Sequence, residues 1–337
     1  MFDQSPQLRQ TSGQPANYPV FRQASIVTIV LALLLSGAWL TQYERHDPNQ
    51  QEVASLTIAT DREQPARQLP PLTIDPDSIE ATAAMVYDVR TGSVLFAKEP
   101  DSVLSLASIT KLMTALLVTE LIEESDTIVT ITSEAVAQYG YSGLRVGERI
   151  SAQNLNQYSL LSSANDAAYA LAYEVGEQIL PGDGSTAFVD AMNVRARELE
   201  LTDTRFQNPT GLDLTTVESG ALGTARDVTR LMAYLATEHP ELLAPTTRPS
   251  VRLDNEIGGF HDAANTNPLV NRIPNLLGSK TGFTDLAGGN LTIVFDAGFN
   301  RPIVVTVLES SFAGRFLDVE QLVDALQASL TQDSNLH

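Results

Sequence analysis

The chain has 337 residues, 43% of them hydrophobic, and a formal net charge of −20 from 41 acidic and 21 basic residues. That balance excludes a nucleic-acid partner, which needs clustered Lys and Arg, while the length suffices for one large domain. There is no cysteine, so disulfides, zinc thiolate sites and thiol catalysis are excluded.

Residues 1–23 are polar, with Arg9 and Arg22 ahead of the apolar run 24-ASIVTIVLALLLSGAWL-40. The run is at the short end for a transmembrane signal anchor, and Trp39 suits the interface. The alternative is a cleaved signal peptide with a small-residue site at Ser36-Gly37-Ala38. Arginine before the run and mixed charge after it (Glu44, Arg45, Asp47) put 1–23 in the cytoplasm and the body outside it. The body then sits on the outer face of the cytoplasmic membrane, or is secreted if the leader is cleaved. Residues 41–80, rich in Pro, Gln, Asp and Arg without periodicity, read as a linker. The folded domain is expected over 81–330.

That domain opens with 83-AAMVYDV-89 and 93-SVLFAK-98 around Gly92, a predicted β-hairpin. Helices are predicted over 109–124, 164–180, 187–201 and 224–238. Strands follow near 279–283, 289–298 and 302–310. A last helix, 312–330, carries Phe316, Val319, Leu322, Val323 and Leu326 at helical spacing. Strands at both ends around a helical block predict an α+β fold, with one antiparallel sheet flanked by helices and a helical lobe from the middle.

Only three residues are lysine: Lys98, Lys111 and Lys280. Arg stays protonated, whereas a desolvated Lys can lose its proton, so a retained lysine is a candidate for proton chemistry. Lys111 heads the all-apolar run after Ser108, and positions i and i+3 share a helix face. There a desolvated amine can take the serine's proton and activate it. A Ser N-cap followed by a snorkelling lysine explains the same pair. Ser163 and Asn165 precede an apolar helix and read either as a cap or as a proton relay and a substrate-fixing amide. Lys280-Thr281-Gly282 reads either as a turn or as a strand that binds a carboxylate at close backbone range.

In order, Ser-x-x-Lys, Ser-x-Asn and Lys-Thr-Gly form the set that marks penicillin-binding proteins and related β-lactamases. The chain resembles the serine D-alanyl-D-alanine carboxypeptidases, the low-molecular-mass penicillin-binding proteins of peptidase S11 type. The likeness covers most of 81–310, including 87-YDVRTGSVLFAKEPD-101, 142-SGLRVGERIS-151, 206-FQNPTGLD-213 and 265-NTNPL-269. It implies a β-lactamase/transpeptidase-like fold, with Ser108 as acyl-enzyme nucleophile, Lys111 as base and Ser163 as relay to the leaving group. It also implies Asn165 on the substrate amide, Lys280 and Thr281 on the terminal carboxylate, and Gly282 leaving room for it. The amides of Ser108 and Phe283 would form the oxyanion hole. The implied substrates are peptidoglycan stem peptides, with β-lactams as inhibitors and no metal or cofactor.

Ala164 stands where these carboxypeptidases more often have glycine. Many relatives carry a C-terminal β domain and a tail helix; neither is expected here, and the 24–40 run would anchor the enzyme instead. A Ser-His-Asp hydrolase is disfavoured, since only His239 and His261 lie in the body and no G-x-S-x-G elbow occurs. A D,D-endopeptidase acting on cross-links would keep all three motifs. A class A β-lactamase lacks its Glu-x-x-x-Asn signature here, where Glu200 is followed by Thr204. A β-lactam sensor would acylate without turnover.

Overall fold

The structure, a computed structural model, describes residues 68–122, 124, 126–298 and 300–334. All of these lie within one compact unit, Glu63–His337. The apolar run 24–40 and most of the expected linker lie outside the described residues. Among those described, no helix is long and apolar enough to cross a membrane.

Five strands form the central sheet: β1 (Ala83–Asp88), β2 (Ser93–Lys98), β3 (Leu276–Thr284), β4 (Gly288–Asp296) and β5 (Pro302–Ser310). Their order is β3-β4-β5-β1-β2, with every neighbouring pair antiparallel. The two ends of the chain thus share one sheet, as the α+β expectation required. Side chains alternate between faces along a strand. In β1, Ala84 and Val86 face one core with Leu291, Ile293, Val305 and Val307, while Ala83 and Met85 face the other. Both faces are covered, so these strands read as continuous apolar runs.

One face is covered by α6 (Gly314–Ser334), which buries Val319, Leu322, Val323 and Leu326. Its buried Asp318 accepts the backbone N–H groups of Glu80 and Ala81 at 2.8 and 2.9 Å, tying the start of β1 to the last helix. The other face meets the helical lobe: α1 (Lys111–Leu121), α2 (Ala152–Leu161), α3 (Asn165–Ile179), α4 (Gly184–Glu198) and α5 (Ala225–Glu238). Every residue of α1 from Lys111 to Val118 is buried. Truncating one of its leucines to alanine is expected to cost about 2–5 kcal/mol.

Several expectations shift. The predicted 109–124 helix is α1 preceded by a 3₁₀ turn, Ala107–Thr110, and stops where Ile122 turns extended. The 187–201 helix begins and ends three residues earlier, as α4. Helix α2 was not predicted: the polar residues Asn156 and Ser159 interrupt its buried side, although Ser151 caps it by accepting the Asn154 N–H. The folded body also starts before residue 81. Leu69, Leu72 and Ile79 are buried, Leu72 N–H donates to the Leu95 carbonyl, and Lys98 donates to the Ile79 carbonyl. Apolar residues scattered without a period among prolines gave no sign of that packing.

Candidate active site

Ser108 lies in the 3₁₀ turn Ala107–Thr110, after a residue in the left-handed region (Ala107, φ 47°). Such a conformation costs of order 1–3 kcal/mol and persists only where its surroundings over-determine it. Two glycines clamp this turn. A Cβ on Gly211 would lie 1.9 Å from the Ala107 carbonyl oxygen, and one on Gly282 would lie 2.9 Å from that of Leu106. From β4, buried Asn290 donates to the carbonyls of Ser105 and Leu106 at 2.9 and 3.0 Å and accepts the Glu309 N–H. The serine is therefore held from three sides.

Lys111 is fully buried at the head of α1. Its Nζ lies 2.9 Å from Ser108 Oγ, 2.6 Å from Asn165 Oδ1 and 2.7 Å from the Thr210 carbonyl oxygen. The last two accept hydrogen bonds and cannot donate one. A neutral amine has two N–H donors for them and one lone pair left, which falls to the serine proton. Burial pushes the lysine well below its usual value, and Lys280 pushes the same way; Asp166 opposes them. The serine is thus paired with a base in a water-poor place. The expectation of a snorkelling lysine fails because the helix is buried all round.

Lys280, on β3, is also buried; its Nζ donates to Ser163 Oγ at 2.9 Å and to the Thr281 carbonyl at 3.0 Å. Burial, then the nearby Arg315 cation, bring its pKa down to about 7. Thr281 Oγ1 pairs with Thr266 Oγ1 at 2.6 Å. Phe283, next along β3 after Gly282, is half exposed and packs edge-on against Phe312.

Six of the eight residues singled out in the sequence fall in two hydrogen-bonded groups, while Gly282 lies against the serine turn and Phe283 follows it on β3. Ser108, Lys111 and Asn165 form one group; Ser163, Lys280 and Thr281 form the other. Ser163 is not the cap of α3. That position belongs to Ala164, which makes no side-chain cap, while Ser163 takes φ 58° and turns its hydroxyl to Lys280. Asn165 differs from the expected substrate contact: its oxygen holds Lys111 and its Nδ2 donates to the Tyr139 carbonyl at 2.7 Å.

Three contributors had no assigned role in the sequence reading. Thr210 offers only a backbone carbonyl, in a turn where Asn208 Oδ1 accepts the N–H groups of Thr210 and Gly211. Thr266 lies in the quoted 265–269 segment. Arg315 is buried in α6, donates to the Gly282 carbonyl at 2.5 Å, and sits against Phe312 and Phe316. Its Nε has no partner among the described residues, and burial lowers its pKa to about 10. The body histidines lie elsewhere, His239 beside Glu241 and His261 bonded to Glu148.

Residues 71–311 match the peptidase S11 family, described as D-alanyl-D-alanine carboxypeptidase. The chain is 40% identical over 236 residues to the D-alanyl-D-alanine endopeptidase of Pseudomonas aeruginosa, covering 68% of this chain and 71% of that one. It is 33% identical to the endopeptidase of the same description from Escherichia coli, covering 77% of each. Among solved structures it resembles penicillin-binding protein D2 of Listeria monocytogenes in its ampicillin-bound form, with TM-score 0.62 and 32% identity. That match covers 73% of this chain and 97% of the other.

Proposed function

The chain belongs to the peptidase S11 family of D-alanyl-D-alanine carboxypeptidases, and on that footing we propose that it is a serine D,D-carboxypeptidase removing the terminal D-alanine of peptidoglycan stem peptides. Ser108 Oγ attacks the carbonyl carbon of the D-Ala–D-Ala bond as Lys111 Nζ takes its proton. Backbone N–H groups of Ser108 and Phe283 meet the oxyanion. The C–N bond breaks as a proton reaches the leaving nitrogen through Ser163. Water then attacks the ester with Lys111 again as base, releasing the acid and regenerating Ser108. Lys280 and Thr281 hold the substrate carboxylate, Gly282 lets it approach, and Asn165 orients Lys111. β-Lactams acylate the same serine.

The observation that carries this reading is the 2.9 Å contact between Ser108 Oγ and a buried lysine whose other acceptors are an amide and a carbonyl oxygen. Labelling with a fluorescent penicillin tests it: the wild type labels, and Ser108→Ala and Lys111→Arg do not. Persistent labelling of Ser108→Ala would sink the nucleophile assignment.

A second reading is a D,D-endopeptidase cutting cross-links, favoured by the names of the relatives from P. aeruginosa and E. coli. Both reactions use one acyl-enzyme and differ in the leaving group. Mass spectrometry of muropeptides after incubation separates them, since loss of one D-alanine and loss of a cross-link give different products.

The enzyme works in the cell envelope. We further propose that residues 24–40 hold the catalytic domain, whose packed body already includes Leu69, Leu72 and Ile79, on the outer face of the cytoplasmic membrane through the linker that precedes it. Membrane fractionation with sequencing of the mature N-terminus tests this; a soluble product starting after residue 38 would make the run a cleaved signal.

A further inference from the structure

The segment 139–144 lies against the first turn of α3 with little core packing of its own. Tyr139 and Tyr141 are almost fully exposed, and within the segment only Leu144 is buried. Hydrogen bonds hold it instead. Ser142 Oγ donates to the buried carboxylate of Asp166 and accepts the Leu144 N–H at 3.3 Å. From α2, the Tyr158 hydroxyl donates to the Ser142 carbonyl. Asp166 Oδ1 accepts the Ala167 N–H at 2.8 Å, which fixes the carboxylate on α3.

This brace positions the Tyr139 carbonyl, three residues before Ser142. Asn165, the residue before Asp166, donates from Nδ2 to that carbonyl at 2.7 Å, while its Oδ1 accepts from Lys111 Nζ at 2.6 Å. A side-chain amide has donors at one end and an acceptor at the other. The Tyr139 carbonyl only accepts, so it must face Nδ2, and the amide oxygen is left for the lysine. With that carbonyl displaced, the amide can turn over and set its own N–H groups against the amine. Lys111 then loses one of the two acceptors that leave its lone pair to Ser108 Oγ.

We propose that Ser142 and Asp166 are positioning residues for acylation: their hydrogen bond fixes the Tyr139 carbonyl, which keeps the Asn165 amide turned with its oxygen toward Lys111. This deepens the reading of Ser108 as nucleophile and Lys111 as its base, and rests on it.

The test follows acylation of the full-length enzyme by a fluorescent penicillin, separating the rate constant at saturation from the dissociation constant of the non-covalent complex. Ser142→Ala lowers the rate constant about tenfold, the scale of one hydrogen bond, and leaves the dissociation constant unchanged. Ser142→Thr keeps the hydroxyl and the rate. Tyr158→Phe loosens the same segment from the α2 side and acts in the same direction. On an Asn165→Ala background neither substitution slows acylation further, because the group they orient is gone. A wild-type rate constant in Ser142→Ala and Tyr158→Phe alike would overturn the proposal. So would a loss that recurs in full without Asn165, since the charge of Asp166 acting directly on Lys111 gives that result. An unlabelled wild type rejects the serine-peptidase reading beneath, whereas a labelled wild type with either of those results rejects the brace alone.

Discussion

Asn165 Oδ1 stands 2.6 Å from Lys111 Nζ, so the partner of the buried lysine is a neutral amide and not a carboxylate. An amide oxygen orients the amine without stabilising its charged form as an anion would. In Asn165→Asp a carboxylate at that range holds the lysine as ammonium. Acylation by penicillin at pH 7 should fall about a hundredfold, within the range for losing a general base, with the acidic limb moved to higher pH. Acylation rates between pH 5 and 10 check this; an unaltered profile would remove Asn165 from control of the base.

Lys280 sets the other limb. Its free-enzyme pKa is about 7, and only the ammonium form pairs with a carboxylate, so kcat/KM should decline as pH rises through about 7. Bound substrate supplies the missing anion, so the corresponding limb in kcat lies at higher pH. Stability runs the opposite way. Between about 7 and the free-lysine value near 10.4, the unfolded chain binds a proton that the folded one does not, so stability rises with pH. Denaturant midpoints across that window should rise less in Lys280→Met than in the wild type.

Removing Arg315 should move that basic limb. The buried guanidinium depresses Lys280 and donates to the Gly282 carbonyl. In Arg315→Met the limb of kcat/KM shifts to higher pH, and in Arg315→Lys it stays near the wild-type value because a cation remains. A limb equally displaced in both variants would assign the effect to packing against Phe312 and Phe316.

Gly211 tests the clamp on the serine turn. Its φ of 76° and a would-be Cβ 1.9 Å from the Ala107 carbonyl make Gly211→Ala costly by about 2 kcal/mol or more. For a domain of this size that lowers Tm by roughly 4–8 °C, and penicillin acylation slows because Thr210 moves with its neighbour. Calorimetry and labelling rates measure both; a variant as stable as wild type would contradict the close approach.

The sequence revealed the sheet and the reactive side chains for the same reason: both rest on residue type and spacing. The apolar strands at either end, the Ser108–Lys111 interval and the scarcity of lysine all stand in the sequence itself. Thr210 was not, because a backbone carbonyl acceptor is available to any residue and leaves no compositional trace. Arg315 was hidden by its setting in an amphipathic helix, where an arginine reads as surface. Asn165 was assigned outward to substrate because spacing does not say which way an amide turns. Ser163 was read as a possible cap because serine before an apolar helix usually is one; its left-handed backbone is a tertiary outcome.

The pairing of β1 with β5 carries a consequence for biogenesis. Beyond its local hairpin with β2, strand β1 finds its other sheet partner only at residues 303–308, and Lys280 comes on a third strand late in the chain. Contacts so distant in sequence form slowly. A growing polypeptide therefore stays without this central sheet until its last strand is available. The site is unassembled until then, because a fragment ending before β3 carries Ser108 and Lys111 but neither Lys280 nor Thr281.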